Sequence, residues 1–170
     1  MAISDIQAVI ESAKARGREP LERFLRRRMP DASDERIQEA VEVAAETIES
    51  VPVLLARAAQ EARERGLESV VMPLLRRVER YFVRPVDLIP EMTQGMAGLL
   101  DDTYLALRML QGLEQGPRPF LAWELDEPVE LLRSFVGKEI GRKLDSIALA
   151  ALTNVSGELD AVWEELAQEA

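Results

Sequence analysis

The 170-residue sequence contains no cysteine and no histidine. Without cysteine the chain has no disulfide, no thiolate metal site and no cysteine nucleophile. Without histidine it lacks the commonest general base, the commonest ligand of transition metals and the usual pH switch near neutrality. Zinc enzymes and hydrolases with a Ser-His-Asp triad are therefore excluded. Any catalysis would rely on carboxylates, Arg, Lys, Ser, Thr or Tyr.

Aromatic residues and long apolar runs are also scarce. Aromatics make up 5% of the chain, so the core is predicted to be aliphatic. The longest stretch without a charged residue runs from Ser146 to Gly157, whereas a membrane span needs about 18 or more apolar residues. The start, Met1-Ala-Ile-Ser-Asp, lacks the basic and apolar regions of a signal peptide. These features predict a soluble, cytoplasmic protein.

Positive charge is in the minority, because the formal net charge is −10. Such an acidic chain is not expected to bind nucleic acid or anionic lipid nonspecifically. Residues 1–29 depart from this balance with seven cations and four anions, a net +3. Their run Arg26-Arg27-Arg28 suits a phosphate or an acidic partner. We expect it instead to pair with the protein's own carboxylates, because charge runs usually lie on solvated faces.

The arginine content bears on the source of the protein. The chain has 18 arginines and 3 lysines. This ratio is typical of a GC-rich genome and predicts a bacterial protein.

The apolar residues recur at intervals of three and four along nearly the whole chain, which predicts helices. We find no alternating pattern typical of strands and no internal repeat. A chain of this length suits one domain. The sequence therefore predicts an all-α, single-domain bundle over residues 1–170, with about six or seven helices.

The predicted helices follow from these patterns and from Pro, Gly and cap residues. They run from about Ser4 to Arg16, from Pro20 to Met29, from a cap at Ser33 to Gly66, from Leu67 to Val83, from about Asp101 to Leu113 and from Asp126 to Val155, with a final helix after Ser156. In the region from Asp126 to Val155, Gly137 and Gly141 are four residues apart on one face. We expect a neighbouring backbone to approach them closely.

The third predicted helix carries an apolar seam spaced strictly four and three residues apart. Its positions are Ile37, Val41, Ala44, Ile48, Val51, Leu55, Ala58 and Ala62. The phase persists through Pro52, which predicts one kinked helix or two nearly collinear helices. Because three of the positions are alanine, we expect packing within the bundle and not a coiled coil.

Residues 85–102, together with Tyr81-Phe82 just before them, hold the most specific motif of the chain. Its elements are Tyr81-Phe82, then Pro85-x-Asp87-Leu88-Ile89-Pro90, then Gly98-x-x-Asp101-Asp102. This pattern resembles the YkvA-like family, catalogued as domain of unknown function 1232, over about residues 68–112. Glu91 departs from the family's usual Asp. The resemblance implies a small helical hairpin module, often in bacterial proteins and sometimes near membranes, with no established activity.

The carboxylates of this motif support two interpretations. If the flanking helices pair as a hairpin, Asp87 and Asp101 meet, and with Asp102 they would supply oxygen ligands for Mg²⁺ or Ca²⁺. Such a metal activates water or holds a phosphate. Alternatively the aspartates cap helices, with Asp87 before one first turn and Asp101 or Asp102 before the next, each contributing about 0.5–2 kcal/mol. We favour capping, and we expect no cofactor apart from a cation in the first case.

Phe120 and Trp123 form a second candidate site, after the loop Gly116-Pro117-Arg118-Pro119. Exposed on the surface, they would anchor a protein partner. Packed against the bundle, they would belong to the core, which is the commoner fate of such residues.

Three functions remain open at this point. We expect a non-enzymatic protein-interaction or scaffold module with a protein partner, because no catalytic constellation is visible. The first alternative is a phosphate or ester enzyme that holds a divalent cation on Asp87, Asp101 and Asp102. The second is a peripheral membrane protein that docks through a face near Tyr81–Leu100, although the net charge opposes this. The sequence predicts neither the partner's identity nor the oligomeric state.

Overall fold

The computed structural model describes residues 3–83, 95–114, 120–153 and 164. Within these ranges the chain is helical and contains no strand, which confirms the all-α bundle. The described ranges contain seven α-helices: α1 (Ile3–Ala15), α2 (Glu19–Arg28), α3 (Asp34–Glu64), α4 (Glu68–Val83), α5 (Leu100–Leu113), α6 (Asp126–Val136) and α7 (Lys138–Thr153). A short 3-10 helix, Gly95–Leu99, leads directly into α5.

The start of α3 shows how local sequence sets a helix end. Ser33 has extended backbone angles, and its hydroxyl accepts a hydrogen bond of 3.2 Å from the backbone N–H of Arg36. Asp34 and Glu35 follow in the first turn, where the positive end of the helix favours carboxylates. The predicted cap at Ser33 is therefore confirmed.

The long helix α3 continues through Pro52 without a break. Of the two predicted possibilities, one helix or two nearly collinear helices, the structure has one helix. All eight seam positions, from Ile37 to Ala62, are at most 2% exposed. They pack within the molecule, because α3 contacts α1, α2, α4 and α5. The prediction of a bundle seam is confirmed.

Helix α5 lies at the centre of the bundle. It contacts α3, α4, α6 and α7, and each of its first eight residues is buried. A helix that is buried on every side must be covered by neighbours on every side. The predicted pairing of the helices on either side of the 85–102 motif is also present, because α4 packs against α5.

The region from Asp126 to Val155, predicted as continuous, is broken at Gly137. This residue ends α6 with φ 89° and ψ 165°, angles that exclude a helical turn. We predicted that a neighbouring backbone approaches Gly137 and Gly141 closely. The neighbours of both glycines are instead arginine side chains. A Cβ at Gly137 would lie 3.0 Å from an Nη atom of Arg28, and one at Gly141 would lie 3.3 Å from Cγ of Arg133.

Several predicted features lie outside the described residues. They are the motif residues from Pro85 to Pro90, the loop from Gly116 to Pro119 and the helix after Ser156. In the part of the chain that is described, no helix is both long enough and apolar enough to cross a membrane.

Candidate functional site

The two aspartates of the motif lie in the first turn of α5. Asp101 is 2% exposed and Asp102 is fully buried. Asp87 lies outside the described residues, so its predicted meeting with Asp101 stays a prediction. Among the described residues, no group of three or more acidic side chains is arranged to hold a metal ion.

The N-cap of α5 is Leu99, which forms no side-chain cap bond. Asp101 lies two residues further on, and its Oδ1 accepts a hydrogen bond of 3.1 Å from the backbone N–H of Asp102. One of the N–H groups that the first turn leaves without a helical partner is thereby satisfied. Both carboxylates also lie where the helix dipole favours negative charge.

Thr103 continues this buried polar turn. Its hydroxyl oxygen is buried and forms no hydrogen bond with any described residue. Three consecutive polar side chains are thus buried at the start of the central helix. Burial of such groups is costly unless they are compensated, so this turn departs from simple core packing.

The aromatic pair after the 116–119 loop is divided between core and surface. Phe120 is buried, and the guanidinium of Arg65 lies 5.0 Å from the centre of its ring. Trp123 is 39% exposed. The expectation that both residues pack against the bundle is therefore confirmed for Phe120, whereas Trp123 is only partly covered.

Trp123 borders a cleft of about 490 Å³ between α3 and the segment that leads into α6. Three buried leucines belong to its lining: Leu54, Leu107 and Leu125. The remaining lining residues are Glu46, Thr47, Ser50, Ala122, Glu124 and Pro128. The cleft is open to solvent, and its size falls in the range of ligand-binding pockets.

A second hollow, of about 330 Å³, adjoins the first. Both are lined by Trp123, Glu124 and Leu125. The second hollow is polar, because its other lining residues are Gln111, Glu114 and Asp126. Trp123 therefore borders a mainly apolar cleft and an acidic hollow at the same time, and below we call the two together the Trp123 cleft.

The backbone around Trp123 is held by specific contacts. Ala122 has φ 55°, in the left-handed region that a non-glycine residue rarely adopts. On the other side, the carboxylate of Glu124 accepts hydrogen bonds from the N–H groups of Asp126 at 2.7 Å and Glu127 at 3.4 Å. The carboxylate of Glu114 accepts one from the N–H of Leu121. These contacts fix the path of the segment on both sides of Trp123.

The carboxylates around Trp123 have no cationic partner in the described part of the chain. Glu46, Glu114, Glu124 and Asp126 form no salt bridge there. Where they accept hydrogen bonds, the donors are uncharged backbone N–H groups or, for Asp126, the side-chain amide of Gln111. The surface beside the exposed indole is therefore negatively charged.

The arginine run at the end of α2 is mostly engaged within the protein. Arg26 contacts Glu22 at 2.9 Å and Asp34 at 2.7 Å. The hydrogen bond from Arg26 lowers the pKa of Glu22, and the hydrogen bond to Asp34 raises the pKa of Arg26. Arg28 lies 5.3 Å from the ring centre of Phe24. The expected pairing with the protein's own carboxylates is thus present for Arg26.

Sequence reasoning missed a polar junction around Asp145. The Tyr104 hydroxyl and Arg108 Nε donate to its Oδ1 at 2.6 and 3.0 Å, and an Nη of Arg133 contacts its Oδ2 at 2.8 Å. Burial, followed by the hydrogen bond to Asp145, raises the pKa of Tyr104 to about 12. The spacing of Tyr104 and Arg108 on one helix face was the only sequence signal, since Asp145 lies on another helix.

No family model, no curated protein and no solved structure matches this chain. The resemblance of residues 68–112 to the YkvA-like family stays a prediction.

Proposed function

We propose that the chain is a non-enzymatic protein-interaction module and that the Trp123 cleft is its docking surface. The exposed indole carries the proposal. Every phenylalanine in the described ranges is buried, as is Tyr104, whereas Trp123 stands at the surface beside an open cleft. Tryptophan is enriched among the residues that dominate binding energy at protein interfaces.

The polar groups that line the cleft support binding and not catalysis. The Thr47 hydroxyl donates to the carbonyl of Val43 at 2.7 Å, and the Ser50 hydroxyl donates to that of Thr47 at 2.6 Å. A nucleophilic hydroxyl needs an adjacent base, whereas these two are bonded to the backbone of their own helix. Glu124 is likewise engaged as a cap of α6.

The test is affinity capture from the source cells, with three forms of the chain. Trp123→Ala removes the exposed indole, and Leu149→Ala is the control because Leu149 is 66% exposed on α7 and does not line the cleft. We expect the same partner to be captured by the wild type and by Leu149→Ala and lost with Trp123→Ala, at equal thermal stability. Undiminished capture by Trp123→Ala would overturn the proposal.

A second candidate is the divalent-cation site at Asp87, Asp101 and Asp102, in a phosphate or ester enzyme. The burial of Asp101 and Asp102 at the start of α5 favours it. The test is thermal unfolding in EDTA and then in Mg²⁺, Mn²⁺ or Ca²⁺, beside Asp101→Asn. A cation at 100 times its dissociation constant stabilises by about 2.7 kcal/mol. A metal-dependent rise that is absent in the variant supports the site, and no rise with any metal excludes it.

A further inference from the structure

We propose that the Trp123 cleft binds a cationic amphipathic peptide segment, with an apolar side chain in the cleft and a Lys or Arg side chain in the adjoining acidic hollow. This inference rests on the proposed function and adds the chemistry of the partner. It follows from the shape of the two hollows and from the charge around them.

The shape requires a ligand with two different ends. The larger hollow has a mainly apolar lining, whereas the smaller one presents Glu114 and Asp126. Because Trp123 borders both, a segment that fills both contacts the indole. An apolar side chain in the larger hollow covers the exposed part of Trp123 and the rest of the apolar lining, and a cation beside the indole gains a cation–π contact.

The charge selects a cation. Glu46, Glu114, Glu124 and Asp126 surround Trp123 with no salt bridge to any Lys or Arg of the described residues. Complementary charge at an interface steers association and rejects partners of like charge. The net charge of −10 acts in the same direction. An acidic or purely apolar segment would leave these carboxylates uncompensated.

The openness of the site favours a peptide over a small organic cation. Small-molecule sites bury about 70–90% of the ligand surface, whereas both hollows here are open to solvent and lie side by side on the surface. A peptide segment covers such a surface by laying successive side chains into neighbouring depressions.

The experiment uses the full chain with Trp163→Phe, so that Trp123 is the only one of the two tryptophans that remains. Its fluorescence is titrated with an amphipathic Leu/Lys peptide, with the Leu/Glu peptide of the same pattern and with a Ser/Lys peptide of the same charge. Calorimetric titration of the unmodified chain repeats the series independently of this substitution. We expect the Leu/Lys peptide to shift the Trp123 emission and to bind at least about tenfold more tightly than either control.

Charge reversal at the cleft gives the matched control. Glu46→Lys changes the rim of the cleft, whereas Glu39→Lys makes the same change at an exposed position of α3 outside the cleft. We expect Glu46→Lys to weaken binding of the Leu/Lys peptide by about tenfold and Glu39→Lys to weaken it little. Both variants should unfold at the wild-type temperature.

The outcomes separate the two proposals. No binding of the Leu/Lys peptide, equal binding of the Leu/Glu peptide or equal effects of the two reversals would overturn the cationic partner. Those results would leave the interaction module standing if capture still depends on Trp123. Capture that does not depend on Trp123 removes the proposed function and this inference with it.

Discussion

The hydroxyl of Tyr104 donates a hydrogen bond of 2.6 Å to Oδ1 of Asp145, although 41 positions separate the two residues. The contact joins the central helix α5 to α7. Arg108 and Arg133 bind the same carboxylate, so three helices meet at one acidic side chain. A carboxylate that accepts from a phenol and two guanidiniums has an architectural role.

Replacement of Asp145 by Ala is expected to lower the free energy of unfolding by about 2–3 kcal/mol. The substitution leaves a buried phenol and two half-buried guanidiniums without their acceptor, and hydrogen bonds to charged groups contribute about 1.5–3 kcal/mol. Urea unfolding measures the effect. Glu139→Ala is the control on the same helix, because its pair with Lys143 is exposed at 3.7 Å and contributes little. Equal losses in the two variants would contradict the role of the junction.

The ionisation of Tyr104 should couple folding to pH in the alkaline range. Its pKa is raised from 10.0 to about 12 in the folded protein, so the folded state holds the proton more tightly than the unfolded state. The stability from this group is present in full below pH 10 and is lost as the pH rises from 10 to 12. Tyrosinate absorbance of Tyr81→Phe, in which Tyr104 is the only tyrosine, reports the titration. Ionisation of folded protein near pH 10 would refute this coupling.

The cap of α3 offers a local test. Ser33→Ala removes the acceptor of the Arg36 N–H and is expected to cost about 1 kcal/mol. Ser33→Asp keeps a side-chain oxygen at the cap and should retain most of the stability. Urea midpoints of the two variants decide the point, and a midpoint for Ser33→Ala at or above that of Ser33→Asp would show that the cap contributes nothing.

Gly137 should not tolerate a side chain. Its φ of 89° with ψ of 165° lies in a region that only glycine adopts readily, at a cost of about 1–3 kcal/mol for other residues. A Cβ there also meets an Nη of Arg28 at 3.0 Å, whereas a Cβ at Gly17, with φ 85°, meets nothing within 4 Å. We expect thermal unfolding to show a larger loss for Gly137→Ala than for Gly17→Ala. The reverse order would exclude the Arg28 contact as a cause.

Ala122 should respond oppositely to a smaller and to a branched side chain. Its φ of 55° strains an L-residue by about 1–2 kcal/mol. Ala122→Gly relieves this strain and is expected to leave stability unchanged or to raise it by up to about 1 kcal/mol. Ala122→Val should lower it, because a branched Cβ fits the left-handed region worst. Similar urea midpoints for both variants would show that the backbone relaxes freely here.

The sequence predicted the parts of the fold that depend on neighbours along the chain. The three-and-four spacing of apolar residues located α1 to α5 to within a few residues, and the seam of α3 was predicted residue by residue. The cap at Ser33 could be predicted because a serine before two acidic residues stabilises a helix start through contacts within one turn. The break at Gly137 was missed because the apolar spacing runs across it without a change of phase.

Local patterns by themselves thus determined the helical class, the aliphatic core and the exclusion of cysteine and histidine chemistry. Tertiary structure alone decided that Phe120 is buried while Trp123, three residues later, stands over a cleft. It also decided that the Asp145 carboxylate binds the side chains of Tyr104, Arg108 and Arg133, which lie on two other helices. The physical reason is range: helix periodicity and capping act within about one turn, whereas burial and convergence depend on which distant helix packs opposite.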